Sequence, residues 1–166
     1  KSDGTLWAMG WNIFGELGDG TSDKKYTPVQ IGSDNNWQVI SAGYASSLAI
    51  KSDGTLWSWG RNLYGQLGDG TTSTRKSPVQ VGVDTNWQTI NAGGYYSLAI
   101  KSDSTIWTWG INDDGQLGDG TMTDRSSPLQ IGTDTNWQTI DAGGDYSLAI
   151  KSDGTLWAWG ANFYGY

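Results

Sequence analysis

The chain has 166 residues, with 17 Asp and Glu against 10 Lys and Arg, a net charge of −7, and neither Cys nor His. That balance opposes nucleic-acid binding, whose non-specific affinity comes from Lys and Arg neutralising phosphates. The missing Cys and His exclude disulfides and thiolate metal sites and remove the usual general base and thiol nucleophile.

Residues 1–50 recur as 51–100 and 101–150 without insertion or deletion, and 151–166 open a fourth copy. Lys-Ser-Asp begins each copy, and copies two and three agree at 35 of 50 positions. A period this long marks a propeller, solenoid or array, so the fold is read per repeat and 1–166 is taken as a single repeat domain. Apolar runs stop after three or four residues, far short of the roughly 20 that a membrane-spanning helix needs, so no membrane insertion is expected. With no initiator Met and no leader pattern, the chain reads as a processed product or an excised piece.

In Leu56-Trp57-Ser58-Trp59-Gly60 the period of two places both Trp on one face and Leu56 on the other. A strand apolar on both faces has to be covered on both sides, which stacked sheets achieve. Gly-Asp-Gly-Thr at 68–71 reads as a turn, and the next strand is expected at 78–81, with Pro78 at its start where a missing N–H is tolerated. Asp84-Thr85-Asn86 then turns into a strand at 87–90. Ser97–Lys101 and Ile106–Gly110 flank a turn that in every other copy contains Asp-Gly, the signature of a type I′ hairpin with positive φ at both central residues. Only Ser104 departs from it, replacing the Gly. Leu156–Trp159 is the thirteenth and last expected strand.

Four short strands per fifty residues, Gly-rich turns and no helical periodicity predict an all-β chain. Its architecture is a β-propeller of ~50-residue four-stranded blades, a partial ring of three and a third repeats. A parallel β-helix is the rival, with shorter repeats.

The run Ala92–Asp103, then Trp107-Thr108-Trp109-Gly110-Ile111-Asn112, then Gly115–Thr121, resembles the regulator-of-chromosome-condensation repeat, and the resemblance recurs in every copy. It implies a seven-bladed propeller. That family includes an exchange factor for a small GTPase, a plant ultraviolet-B photoreceptor and a β-lactamase inhibitory protein, so fold does not settle function. The family usually has His before the Ser-Leu-Ala strand, where this chain has Ser46, Tyr96 and Tyr146. The exchange factor's projecting insertion and the photoreceptor's Gly-Trp-Arg-His-Thr motif are both missing, so neither activity is expected. Seven blades would take about 350 residues. An open partial ring exposes apolar blade faces and strand edges, which two copies would cover in a homodimer of six or seven blades. The competing expectation is a fragment of a longer array.

Catalysis is not expected, nor a cofactor or metal. The Asp residues recur within turn signals, and Gly-Asp-Gly-Thr lacks the full spacing of an EF-hand loop, so Asp19, Asp69 and Asp119 are read as turn caps. A private function has to come from positions that vary between copies. These are Trp11 and Phe14; Arg61 and Tyr64; Asp113 and Asp114; Phe163 and Tyr164; and, in a second set, Tyr44, Tyr95 and Asp145. A third set is the loop 22–27 with its counterparts at 72–77 and 122–127. The repeat register predicts a rim of changing side chains on a constant frame, where large aromatics serve as interface anchors. The bland reading of each aromatic alone is packing in a half-buried loop. The function expected is a non-catalytic scaffold for protein–protein interaction that completes its ring by homodimerisation. The alternatives are a carbohydrate-binding or adhesive surface module, or an engineered array without an evolved ligand. Glycan is the other candidate partner, and an extracellular or cell-surface setting is favoured over a cytoplasmic one.

Overall fold

The computed structural model describes residues 1–162, which form thirteen β-strands. The first sheet pairs β1 (Trp7–Gly10) with β2 (Lys25–Gln30). The second is a four-stranded antiparallel meander of β3 (Trp37–Ala42), β4 (Ser46–Lys51), β5 (Leu56–Gly60) and β6 (Arg75–Gln80). The third repeats it with β7 (Trp87–Ala92), β8 (Tyr96–Lys101), β9 (Ile106–Gly110) and β10 (Arg125–Gln130). The last has three strands, β11 (Trp137–Ala142), β12 (Tyr146–Lys151) and β13 (Leu156–Gly160). All pairings are antiparallel and between sequence neighbours, as expected of propeller blades. Each complete blade straddles a boundary between sequence copies, because the hydrogen-bonded unit starts at the Asn-Trp-Gln segment and not at Lys-Ser-Asp.

Blades stack through their inner strands. Ala92 N–H donates to Ser41 Oγ (3.0 Å) and Ala142 N–H to Asn91 Oδ1 (3.2 Å), tying β3 to β7 and β7 to β11. Both faces of the middle strands are covered, as the strand pattern required: Leu56, Ser58, Trp59, Ile106, Thr108 and Trp109 are all buried. The Trp109 indole crosses to the preceding repeat, where Nε1 donates to Gln66 O at 2.9 Å. A Cβ on Gly68 would meet that Nε1 at 2.8 Å, so only glycine lets the loop lie on the ring. Tyr96, at the position where the family carries His, is fully buried and bridges blades: its hydroxyl donates to Tyr146 O and accepts from Ser147 Oγ. Burial pushes that hydroxyl's pKa well up.

Two local expectations need correction. The hairpin turns are not type I′. Positive φ occurs at Gly54 (77°) and Ser104 (60°) but not at Asp53 or Asp103. This is the longer hairpin loop closed by one left-handed residue. Asp53 serves there as an acceptor, taking the N–H and hydroxyl of Thr55 at 3.0 and 2.6 Å. Pro78 does not open its strand either, since β6 begins three residues earlier, at Arg75. The proline is tolerated because β6 is the outermost strand and its pairing with β5 is interrupted between Arg75 and Val79.

Among the described residues Ser104 is the only non-glycine with positive φ, a conformation that costs an L-residue about 1 kcal/mol. At the equivalent Gly54 an added Cβ would meet Thr85 O at 2.0 Å. Ser104→Gly is therefore expected to stabilise by about 1 kcal/mol, raising Tm by roughly 2–4 °C in a calorimetric scan. A fall in Tm would mean that the serine's contacts outweigh its backbone strain.

Candidate interaction rim

Alternate turns of an antiparallel meander return to the same side, so the β1–β2, β3–β4, β5–β6 and β7–β8 connections share one rim. The constant part of that rim is a buried amide. Asn62 Oδ1 accepts the Leu67 N–H at 2.9 Å, while Nδ2 donates to Thr71 O and Ser73 O at 3.0 and 3.1 Å. Asn12 and Asn112 do the same in their copies. Asp19, Asp69 and Asp119 cap the following turns, as their spacing predicted, and pair with Lys25, Arg75 and Arg125. Burial pushes the Asp119 carboxyl up. Hydrogen bonds from the Thr121 hydroxyl, Arg125, the Thr121 N–H and Asn112 outweigh that and hold it at about 2. Among the described residues no group of three Asp or Glu side chains could hold a metal ion.

Five of the variable residues converge on this frame. The Arg61 guanidinium lies between the rings of Phe14 (4.9 Å) and Tyr95 (5.0 Å), and Nη1 donates to Tyr95 Oη at 3.3 Å. Tyr44 and Tyr64 brace Tyr95 from two sides, with centroids at 5.5 and 5.4 Å. Trp11 stands at the end of this row, exposed, with Lys24 Nζ 3.8 Å above its ring. Lys24 belongs to the variable 22–27 loop, but its cation–π role was not legible, since nothing in the local pattern aims that loop at Trp11. One blade further on, the places of Tyr64 and Tyr95 are taken by Asp114 and Asp145. Asp113 and Asp145 are exposed and Asp114 half-buried. No ion pair or side-chain hydrogen bond joins these three to the aromatic cluster among the described residues. Phe163 and Tyr164 lie outside the described residues.

Beside the rim, an open apolar cleft of about 680 Å³ separates β1 from β3 and β4. Leu6, Met9, Trp11, Phe14, Ile40 and Tyr44 contribute to its walls. Sequence reading missed Ile40 as an exposed residue, because its counterparts Ile90 and Ile140 are buried.

The sheets and their stacking define a β-propeller repeat protein whose ring is open. The regulator of chromosome condensation (RCC1) repeat model matches residues 3–50, 53–100 and 103–150, and a second model of that repeat matches 38–66, 87–116 and 137–165. The chain belongs to the RCC1 repeat family. No curated protein matches it by sequence. Among solved structures it is similar to human WBSCR16, with a TM-score of 0.85 and 23% identity over 98% of this chain and 44% of that one. Prp20p from Saccharomyces cerevisiae gives a TM-score of 0.81 at 19% identity, over 97% of this chain and 42% of that one. A chain from the complex of Kap60 with yeast RCC1 (Prp20) also gives 0.81, at 21% identity over 95% and 40%. At such identities the likeness is one of fold, and this chain spans less than half the length of those relatives.

Proposed function

We propose that this chain is a non-catalytic RCC1-type scaffold for protein–protein interaction and that it completes its propeller as a homodimer. The observation that carries the reading is a comparison of equivalent positions. Tyr96, Ile100 and Ile106 are at most 2% exposed beneath the next blade, whereas their counterparts Tyr146, Ile150 and Leu156 are 44%, 38% and 67% exposed. The opposite end of the stack presents the apolar cleft between β1 and β3. Each end therefore displays one half of an interface that the interior of the molecule builds twice. Apolar faces of this kind mark association sites, and a head-to-tail contact that closes on itself gives a ring and not a filament. The solved complex of yeast RCC1 with Kap60, and the reported binding of Prp20p to Gsp1p and histones, give the interaction role its precedent within the fold.

Light scattering of this chain is expected to give twice the monomer mass. Ile150→Asp combined with Leu156→Asp removes the apolar half-interface and is expected to shift the protein to monomer, weakening association by at least about a hundredfold. A compact monomer for the unaltered chain, or a dimer that survives both changes, would refute self-closure.

A further inference from the structure

Arg61 holds more hydrogen-bonding capacity than its surroundings use. Six of the chain's 10 basic residues are paired with aspartates: Lys25, Lys51, Arg75, Lys101, Arg125 and Lys151. Arg61 has no carboxylate partner among the described residues. Its guanidinium carbon sits over the rings of both Phe14 and Tyr95, 4.9 and 5.0 Å from their centroids. Its Nε is buried without an acceptor. The 3.3 Å bond from Nη1 to Tyr95 Oη is the single hydrogen bond of its side chain among the described residues. Contact with both rings restricts the guanidinium, and apart from the Nη1 bond its Nη donors have no acceptor among the described residues.

The frame does not require this arrangement. The position of Arg61 is filled by Trp11, Ile111 and Ala161 in the other copies, and that of Tyr95 by Ala45 and Asp145. The buried amides Asn12, Asn62 and Asn112 make the same bonds throughout. Guanidinium donors left without an acceptor at a position that the frame does not use leave room for a ligand group.

We infer that Arg61, clamped between Phe14 and Tyr95, is a carboxylate-recognition site for an acidic segment of a partner protein, with Tyr44 and Tyr64 as its apolar flank. A planar guanidinium fork matches a carboxylate through two parallel N–H···O bonds, geometry that a lysine ammonium does not supply. The clamp contributes one cation, which suits the single charge of a carboxylate better than the near-double charge of a phosphate monoester. Tyr44 is 74% exposed beside the clamp and offers a ring to an apolar residue next to the acid. The site deepens the scaffold reading and shares Phe14 and Tyr44 with the walls of the apolar cleft, so the test is run on the Ile150→Asp, Leu156→Asp variant beside the unaltered chain.

The probe is a short capped peptide of alternating Glu and Tyr, followed by calorimetry or tyrosine fluorescence, with a Gln-for-Glu peptide and inorganic phosphate as comparison arms. The Glu peptide is expected to bind. The Gln peptide, Arg61→Lys and Arg61→Ile are each expected to weaken binding at least about tenfold. Arg61→Ile installs the residue that the next copy carries, so its melting curve should stay close to that of the unaltered chain. The assignment is overturned if the Glu peptide fails to bind at millimolar concentration, or if the Gln peptide or Arg61→Lys binds as well as the original pair. Phosphate displacing the peptide as effectively as free Glu peptide would overturn carboxylate specificity.

Discussion

Trp109→Ala is expected to destabilise the chain by about 4 kcal/mol, the range measured for emptying a fully buried tryptophan site. Trp109 has no exposed surface and joins the core cluster that holds Leu48, Ile50, Leu56, Trp87 and Ile90. Its ring sits edge-on to Trp87, with centroids 6.1 Å apart, and its indole N–H bonds Gln66 O. Ser97 Oγ donates to the same carbonyl at 2.9 Å, so losing Trp109 opens a cavity and weakens the seam between repeats. Tm should fall on the order of 10 °C in a calorimetric scan. Trp157→Ala supplies the contrast: that ring is 48% exposed, and its loss should cost no more than about 1–2 kcal/mol. Equal losses for the two variants would show that blade seams do not carry the stability.

Asn112→Ala is expected to cost about 3 kcal/mol without removing any large apolar group. The side chain is fully buried. Its Oδ1 accepts the Leu117 N–H at 3.0 Å, and Nδ2 donates to Thr121 O at 3.0 Å and Asp119 Oδ1 at 3.1 Å. Truncation leaves a buried N–H and a buried carbonyl without partners, each worth roughly 1–3 kcal/mol. Asn112→Asp should be at least as damaging, because an oxygen replaces Nδ2 and faces the Asp119 carboxylate. Urea unfolding of both variants checks this: a midpoint unchanged for Asn112→Ala would show that water replaces the lost bonds.

These two residues differ in how visible they are in the sequence. Trp109 stands out, since a large aromatic at strand spacing that recurs as Trp59 and Trp159, with Met9 in the first copy, has few uses besides packing. Asn112 recurs in every copy, yet asparagine is also a common turn residue, so recurrence alone does not reveal a buried hub. The Asp-Gly turns were legible as turns and misread in type, because two acceptor bonds to Thr55 place Asp53 there and not a tolerance for positive φ. Pro78 was misread for a related reason: its cost depends on whether its strand lies at a sheet edge, and strand order is not a local property.

The candidate site divides along the same line. That Arg61, Tyr64 and Tyr95 vary over a constant frame can be read from the repeats. That Phe14, Arg61 and Tyr95 form one stack cannot, because they belong to connections of three different sheets. Asp113, Asp114 and Asp145 carry the same variation signal, and nothing in the sequence separates them from the aromatic set.

The sequence by itself determined the strands, the turn positions and the constant frame, because the period of two, the Asp caps and the fifty-residue repetition act over a few residues at a time. Only the tertiary structure decided where one blade ends and the next begins, which end faces stay uncovered, and which side chains meet on the rim. Those depend on hydrogen-bond partners and stacking between segments about fifty residues apart, and each segment, being nearly identical to its neighbours, carries no local mark of its own place in the ring.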